Sequence, residues 1–144
     1  MKPEIKSETC IFFQLAKASQ AGTKFLTQKV SNLGITPVQA LVIGFLAEKD
    51  QIMAGELGKK IELDSATLTG ILDRLEGAKL IERKGNPRDR RSIKIHLTAQ
   101  GKAVARKTRI VLEEANKEFL SSLTLGENEN LRLLLAKLRD QAYR

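Results

Sequence analysis

The chain of 144 residues has a hydrophobic fraction of 42% and a charged fraction of 29%, values that fit one globular domain with a single core. No apolar run approaches the roughly 18 residues that a membrane span requires, so we expect no membrane partner. The formal net charge of +8 lies in the middle of the chain, because residues 65–110 hold 12 Lys and Arg against 4 Asp and Glu, a net +8. Such a segment is either a solvated charged face or a surface that meets phosphate.

The first third of the chain predicts two helices. From about Ser7 to Leu33, apolar or small residues recur at three- and four-residue steps, which indicates a long amphipathic helix that ends at Gly34. A second helix begins at Thr36, since the sequence Thr-Pro-Val-Gln combines a capping hydroxyl, a proline at the first helical position and a glutamine three residues after the cap. It runs to about Lys49.

The next segment has the spacing of a helix-turn-helix. After a very short strand at residues 52–53, a brief helix spans Ala54 to Ile61, and another follows the cap Asp64 from Ser65 to Lys79. One face of the latter is apolar, and the opposite face carries hydroxyls near its N-terminus, where side chains and backbone amides contact phosphates and base edges. A plain solvent-facing helix is the alternative for this polar face.

The period then changes to two and predicts a β-hairpin with a long tip between residues 81 and 97. Residues 83–91 hold five cations and one acid, a local net charge of +4. A hairpin directly after a helix-turn-helix can reach the minor groove or backbone while the helix occupies the major groove. Arginine suits a narrow, negative minor groove because its guanidinium is weakly hydrated. A solvated loop in which Asp89 pairs with an arginine is the alternative.

Two more helices complete the chain. Thr98 caps a long helix to about Leu123, and a capping box from Thr124 to Glu127 begins the last one. With the first helix, they supply more apolar surface than a winged-helix core of about 70 residues can cover, so we expect a homodimer. Packing of these helices within the chain is the alternative. The predicted fold is mainly α with a small β-hairpin wing, in one domain over residues 1–144: a winged helix-turn-helix core at about 36–98 and dimerisation helices at about 7–33 and 99–144.

Motifs over residues 35–104 carry a family resemblance. They are Asp73-Arg74-Leu75-Glu76, Leu80-Ile81 leading to Arg83, Asp89-Arg90-Arg91, and Leu97-Thr98 leading to Gly101. In order and spacing they resemble the MarR family of winged helix-turn-helix transcriptional regulators. The resemblance implies a homodimer with interlocking terminal helices that acts as a repressor. It also implies double-stranded DNA with a palindromic operator as the partner, and a ligand-responsive cleft.

The resemblance also implies site residues. The recognition helix would contact DNA through Ser65, Ala66, Thr67, Thr69, Gly70 and Arg74, and the wing through Arg88, Arg90 and Arg91. Many family members have longer side chains where this chain has Ala66 and Gly70, which shifts weight to Thr67, Thr69 and Arg74. A small aromatic or amphiphilic effector is expected where Phe12, Phe13 and Ala16 meet the second helix and the start of the Thr98 helix.

Other chemistry has little support in the sequence. One histidine and one cysteine form neither a catalytic set nor a metal site, so we expect no enzyme, metal or cofactor. A single cysteine suits a reducing compartment, and the mixed charges of the N-terminus argue against a signal peptide, so a cytoplasmic location is expected. A redox switch through Cys10 and a winged-helix protein-interaction module stay open as alternatives, although an interaction wing has no need of a basic tip.

Overall fold

The computed structural model describes residues 4–86 and 88–142, with Arg90 described by its backbone only. Within them lie six α-helices and three short strands in the order predicted. Their bounds are α1 Ile11–Val30, α2 Pro37–Glu48, β1 Ile52–Met53, α3 Ala54–Ile61, α4 Ser65–Gly77, β2 Ile81–Lys84, β3 Lys94–Leu97, α5 Ala99–Phe119 and α6 Leu125–Ala142. The mainly helical fold with a small β wing is confirmed.

The predicted caps hold the helix starts in place. The Thr36 hydroxyl accepts the backbone N–H of Gln39 while the Gln39 side chain accepts the N–H of Thr36, which satisfies two donors that the first turn leaves unpaired. Thr124 and Glu127 form the same reciprocal pair at α6. The predicted first helix is interrupted, however, because 3-10 turns at Ser7–Thr9 and Ser31–Leu33 flank α1.

The strands form one antiparallel sheet in the order β1-β3-β2. Ile52 pairs with Ile95, and Ile81 pairs with Leu97. The side chains of Ile52, Ile81 and Ile95 are almost fully buried, and burial of each such aliphatic side chain contributes roughly 1.5–3 kcal/mol. The base of the wing is therefore part of the same core as α2, α3 and α4.

A junction joins the end of α4, the sheet and the start of α5. The Thr98 hydroxyl donates to the carbonyl of Lys79 at 2.7 Å and accepts the N–H of Gly101 at 2.9 Å. The backbone N–H of Thr98 donates to the Leu80 carbonyl at 3.0 Å. Gly101 packs so closely that a Cβ there would lie 1.9 Å from the Leu80 oxygen. These contacts leave little room for α5 to move independently of the α4–β2 turn.

Among the described residues, long stretches of the terminal helices lie exposed to solvent. Every residue of α1 from 11 to 21 and of α6 from 129 to 142 is exposed, whereas the C-terminal half of α1 packs on α5, with the rings of Phe25 and Phe119 5.3 Å apart. In the described part of the chain, no single helix is long and apolar enough to cross a membrane. The segments Ile11–Leu33 and Pro37–Glu48 reach that length and apolar composition only together, and the chain bends by 70° between them.

Candidate DNA-binding surface

The recognition helix predicted from the sequence is α4, and its outward face is exposed as expected. Its apolar stripe lies in the core, so that the residues at the intervening positions face away from it. All six predicted contact residues of this helix are exposed: Ser65, Ala66, Thr67, Thr69, Gly70 and Arg74.

Two of these six residues use their hydroxyl hydrogens inside the chain. Thr67 donates its backbone N–H and its hydroxyl to the two carboxylate oxygens of the cap Asp64, at 2.8 and 2.7 Å. The backbone bond and then the hydroxyl bond from Thr67 lower the pKa of Asp64. The Thr69 hydroxyl donates to the carbonyl of Ser65 at 2.7 Å. Each threonine is thus an exposed residue whose hydroxyl proton is already engaged, so that its hydroxyl oxygen can only accept a further bond.

An arginine that the sequence assigned to the cationic wing tip has a structural role instead. Arg83 on β2 donates from Nε and a terminal nitrogen to the two Glu76 carboxylate oxygens, at 3.3 and 3.1 Å, and also pairs with Asp73. These bonds lower the pKa of Glu76 and raise that of Arg83. Arg83 thus ties the wing to the recognition helix, and its charge is compensated within the chain. The sequence alone does not predict this role, because only the tertiary fold places β2 beside α4.

The wing tip is held by backbone capping. The Asp89 carboxylate accepts the backbone N–H of Arg91 at 3.0 Å, and its carbonyl accepts both the N–H and the hydroxyl of Ser92. Gly85 has φ 152°, and a Cβ there would lie 2.6 Å from the Ser92 carbonyl oxygen, so this position requires glycine. Among the described side chains, Asp89 therefore shapes the loop through the main chain, and neither Arg88 nor Arg91 forms an ion pair with it.

Three predicted contact residues keep their charge available. In the described part of the chain, no carboxylate lies within 4.0 Å of the side-chain nitrogens of Arg74, Arg88 or Arg91. Both wing arginines in this group are exposed. The side chain of Arg90 lies outside the described residues. These guanidinium groups can bind phosphate oxygens without first losing an internal partner.

Lys94 is a further cation of the wing, and its place there was not predicted from the sequence. Lys94 on β3 lies directly opposite Lys84 on β2, and both side chains are exposed. Like charges opposite each other destabilise an antiparallel pair unless an anion lies between them or nearby. Glu82 partly compensates, since it pairs with Lys84 at 3.3 Å. Only the strand register brings the two lysines together, and no local sequence signal does so.

The residues proposed for an effector lie on the exposed half of α1. Phe12 is 77% exposed and Phe13 is 44% exposed, and Ala16 is exposed as well. A cavity of about 310 Å³ does lie between the end of α2 and the start of α5, and an apolar one of about 320 Å³ lies among α1, α2, α5 and α6. The three side chains line neither cavity, so an effector site at these residues stays a prediction. Cys10, half-buried just before α1, is a free thiol, and its redox role is likewise untested.

Comparison with known proteins gives a consistent result. A family model described as the MarR family matches residues 35–93. The multiple antibiotic resistance protein MarR of Escherichia coli is 31% identical over 121 residues, which are 83% of this chain and 84% of the relative. A crystal structure of a probable transcriptional regulator from Pseudomonas aeruginosa is 32% identical with a TM-score of 0.84, covering 92% of this chain and 99% of that one. A cysteine-to-serine variant of E. coli MarR complexed with operator DNA has a TM-score of 0.81 at 28% identity, covering 94% and 98%.

Proposed function

Because this chain belongs to the MarR family of DNA-binding transcriptional regulators, we propose that it is a homodimeric repressor of a palindromic operator, and that a small effector releases it. A regulatory and non-enzymatic role fits the family, whose relatives here are transcription regulators. The observation that carries the proposal is the pairing of an exposed recognition helix with wing arginines whose charges no described carboxylate compensates.

In the proposed complex, α4 enters the major groove and the wing follows the neighbouring minor groove. The wing binds phosphates or the floor of the minor groove through Arg88, Arg90 and Arg91. Arg74 contacts the DNA near the C-terminal end of the recognition helix. The brace from Arg83 to Glu76 supports this mode, since it keeps a fixed distance between the two elements that must engage adjacent grooves. The operator complex of E. coli MarR shows that a relative of this fold binds DNA.

The exposed apolar surface of α1 and α6 supports a dimer. Side chains that are large, apolar and at least 38% exposed recur on α6 and on the first half of α1: Ile11, Phe12, Phe13, Leu15, Leu125, Leu131, Leu133, Leu134, Leu135 and Leu138. A symmetric pair of chains would cover this surface and present two recognition helices one turn of DNA apart or a multiple of it, about 34–36 Å per turn. An operator with two-fold symmetry follows from such a dimer.

A small aromatic or amphiphilic effector is proposed for the region between the terminal helices and the DNA-binding lobe. In a dimer, the exposed Phe12, Phe13 and Ala16 of one protomer would lie among elements of its partner. The cavity between α2 and α5 is lined by apolar side chains and by Asp50, Lys102, Arg106 and Arg109. Lys102 and Arg109 pair with Asp50 and Glu113, whereas Arg106 forms no ion pair with a described residue. Arg106 beside an apolar lining suits a ligand with an apolar body and an acidic group. Loss of DNA binding on addition of a ligand that raises the melting temperature would identify the effector.

The wing provides the direct test of DNA binding. Replacing Arg88 and Arg91 together by alanine should lower the affinity for both random and operator duplexes, because phosphate contacts are lost. Each lost contact should also reduce the slope of log K against log salt by about 0.9. Fluorescence anisotropy across a salt series measures this slope. A matched variant, Lys107→Ala with Lys117→Ala, removes the same charge from exposed positions of α5. Equal slopes for the wing variant and the wild-type protein would contradict the proposal.

A further inference from the structure

The central part of the α4 outward face has almost no free hydrogen-bond donor. The hydroxyl hydrogen of Thr67 is held by the Asp64 carboxylate, and that of Thr69 by the Ser65 carbonyl. The first of these bonds is charge-assisted and so stronger than a bond between neutral groups. Base contacts that need a hydroxyl proton from either threonine would first have to break an internal bond.

The carboxylates on the same helix are also engaged. Asp73 and Glu76 both pair with Arg83, and Asp64 accepts two bonds from Thr67. Cytosine in the major groove is read by a carboxylate that accepts its exocyclic amino group. The carboxylates of α4 are shared with Arg83, which partly compensates the charge that would favour a cytosine amino group.

The centre of the α4 outward face otherwise consists of residues with short or absent side chains. Ala66 and Thr69 are exposed residues that each carry a methyl group, and Gly70 has no side chain and open space around it. In the major groove, thymine is the only base that presents a methyl group, and Ala and Thr methyl groups are its usual apolar contacts. A glycine beside them lets the helix approach closely enough for methyl groups to touch.

From these observations we propose that α4 reads thymine through its C5 methyl, so that each operator half-site places A·T pairs opposite Ala66 and Thr69. The inference rests on the proposed DNA-binding function, and it names the class of base recognised at that same surface. Ser65 and Arg74, at the two ends of the face, keep free polar groups that bind phosphate or flanking bases.

The test begins with the 144-residue chain and half-sites selected from a random duplex library. Each thymidine of the selected site is then replaced by deoxyuridine, which keeps Watson–Crick pairing and loses only the methyl. At the contacted positions, affinity should fall about fourfold per methyl, the equivalent of about 0.8 kcal/mol for a buried methyl group. At those positions, 5-methylcytidine in place of cytidine in a C·G variant site should recover part of the loss.

Two variants of Thr69 separate the methyl from the hydroxyl. Thr69→Ser keeps the hydroxyl and removes the methyl, so the preference for thymidine over deoxyuridine at its contacted position should disappear. Thr69→Val keeps a methyl and removes the hydroxyl, so that preference should persist. Circular dichroism confirms the helix content of each variant before the comparison.

The outcomes separate the inference from the proposed function. Specific binding that is insensitive to deoxyuridine at every position, or a selected half-site that lacks A·T pairs, would overturn the inference while leaving the proposed function intact. Absence of any duplex preference in the selection would overturn both. A thymidine preference that Thr69→Val loses and Thr69→Ser keeps would show that the hydroxyl does the reading, against the inference.

Discussion

Gly70 lies in the interior of α4, and nothing within 4 Å would meet a Cβ added there. A glycine at such a site costs the helix roughly 0.5–1 kcal/mol relative to alanine. Packing within the described part of the chain does not require a glycine at this position. Close approach of a DNA base edge to the α4 backbone is the reason that the proposed function supplies.

Gly70→Ala should therefore raise the free energy of unfolding by about 0.5–1 kcal/mol and lower the affinity for operator DNA. Urea denaturation and anisotropy titration measure the two effects on the same preparation. Gly126→Ala, at an equally open helical position on α6, is the control for a gain in helix stability alone. A Gly70→Ala protein that is more stable and binds operator as well as the wild-type protein would contradict a close approach at this residue.

Residue-level prediction from sequence worked for faces and caps, which depend on local spacing. The outward position of Thr69 follows from the helical period, and the role of Thr36 follows from the residues next to it. The internal bonds of Thr67 and Thr69 depend on side-chain torsions that the period does not determine. The role of Arg83 depends on which strand residue lies beside which turn of α4, and that arrangement belongs to the tertiary fold.

At the scale of elements, the wing and the recognition helix are joined twice. Arg83 links β2 to α4 through Glu76 and Asp73, and Thr98 links the end of β3 to the turn after α4. In the turn after α4, Lys79 has a left-handed backbone with φ 62°. The N–H of Leu80 donates to the Leu75 carbonyl, and the N–H of Lys79 donates to the Glu76 carbonyl. Together these features form a Schellman motif. The distance from helix to wing is thus set by the chain before DNA is bound.

Arg83→Met should weaken operator binding without changing the salt slope, because it loosens the wing and removes no phosphate contact. The free energy of unfolding should fall by about 1 kcal/mol, the upper value for pairs at the surface. Arg83→Lys keeps the charge but loses the bidentate geometry. Its operator affinity and its free energy of unfolding should therefore lie between those of Arg83→Met and the wild-type protein. A flattened salt slope in Arg83→Met would instead place Arg83 on the DNA.

The same brace has a pH dependence of known sign. Arg83 lowers the pKa of Glu76, so the stabilisation is present above the unfolded-state value and is lost as pH falls through the folded-state value. The difference in stability between wild type and Arg83→Met should therefore shrink on acidification from pH 7 to about pH 3.

At the scale of the whole molecule, the apolar residues of α6 form a stripe. Leu131, Leu134, Leu135 and Leu138 recur at helical spacing, while Leu133 lies on the opposite side of the helix. A stripe of this kind on an otherwise exposed helix indicates that another surface covers it. The proposed dimer interface supplies that surface.

Leu134→Glu with Leu138→Glu should shift the protein toward the monomer in sedimentation velocity and weaken operator binding, because burial of the two carboxylates in an interface is costly. Leu133→Glu, on the opposite face, is the matched control. Deletion of residues 128–144 should have the same effect as the double variant. A double variant that stays dimeric and binds DNA normally would exclude the α6 stripe from the interface.

A substitution at the buried Gly101 should inactivate the protein although this residue lies outside the proposed DNA-binding surface. Any Cβ at this position meets the Leu80 carbonyl oxygen at 1.9 Å, so every substitution must push the start of α5 away from the turn that carries the wing and the recognition helix. In a genetic screen for loss of function, null alleles should consequently appear at this codon for all amino acids, including alanine. Such alleles would resemble changes in the wing arginines in phenotype, although the glycine is buried in the core and lies outside the proposed DNA-binding surface.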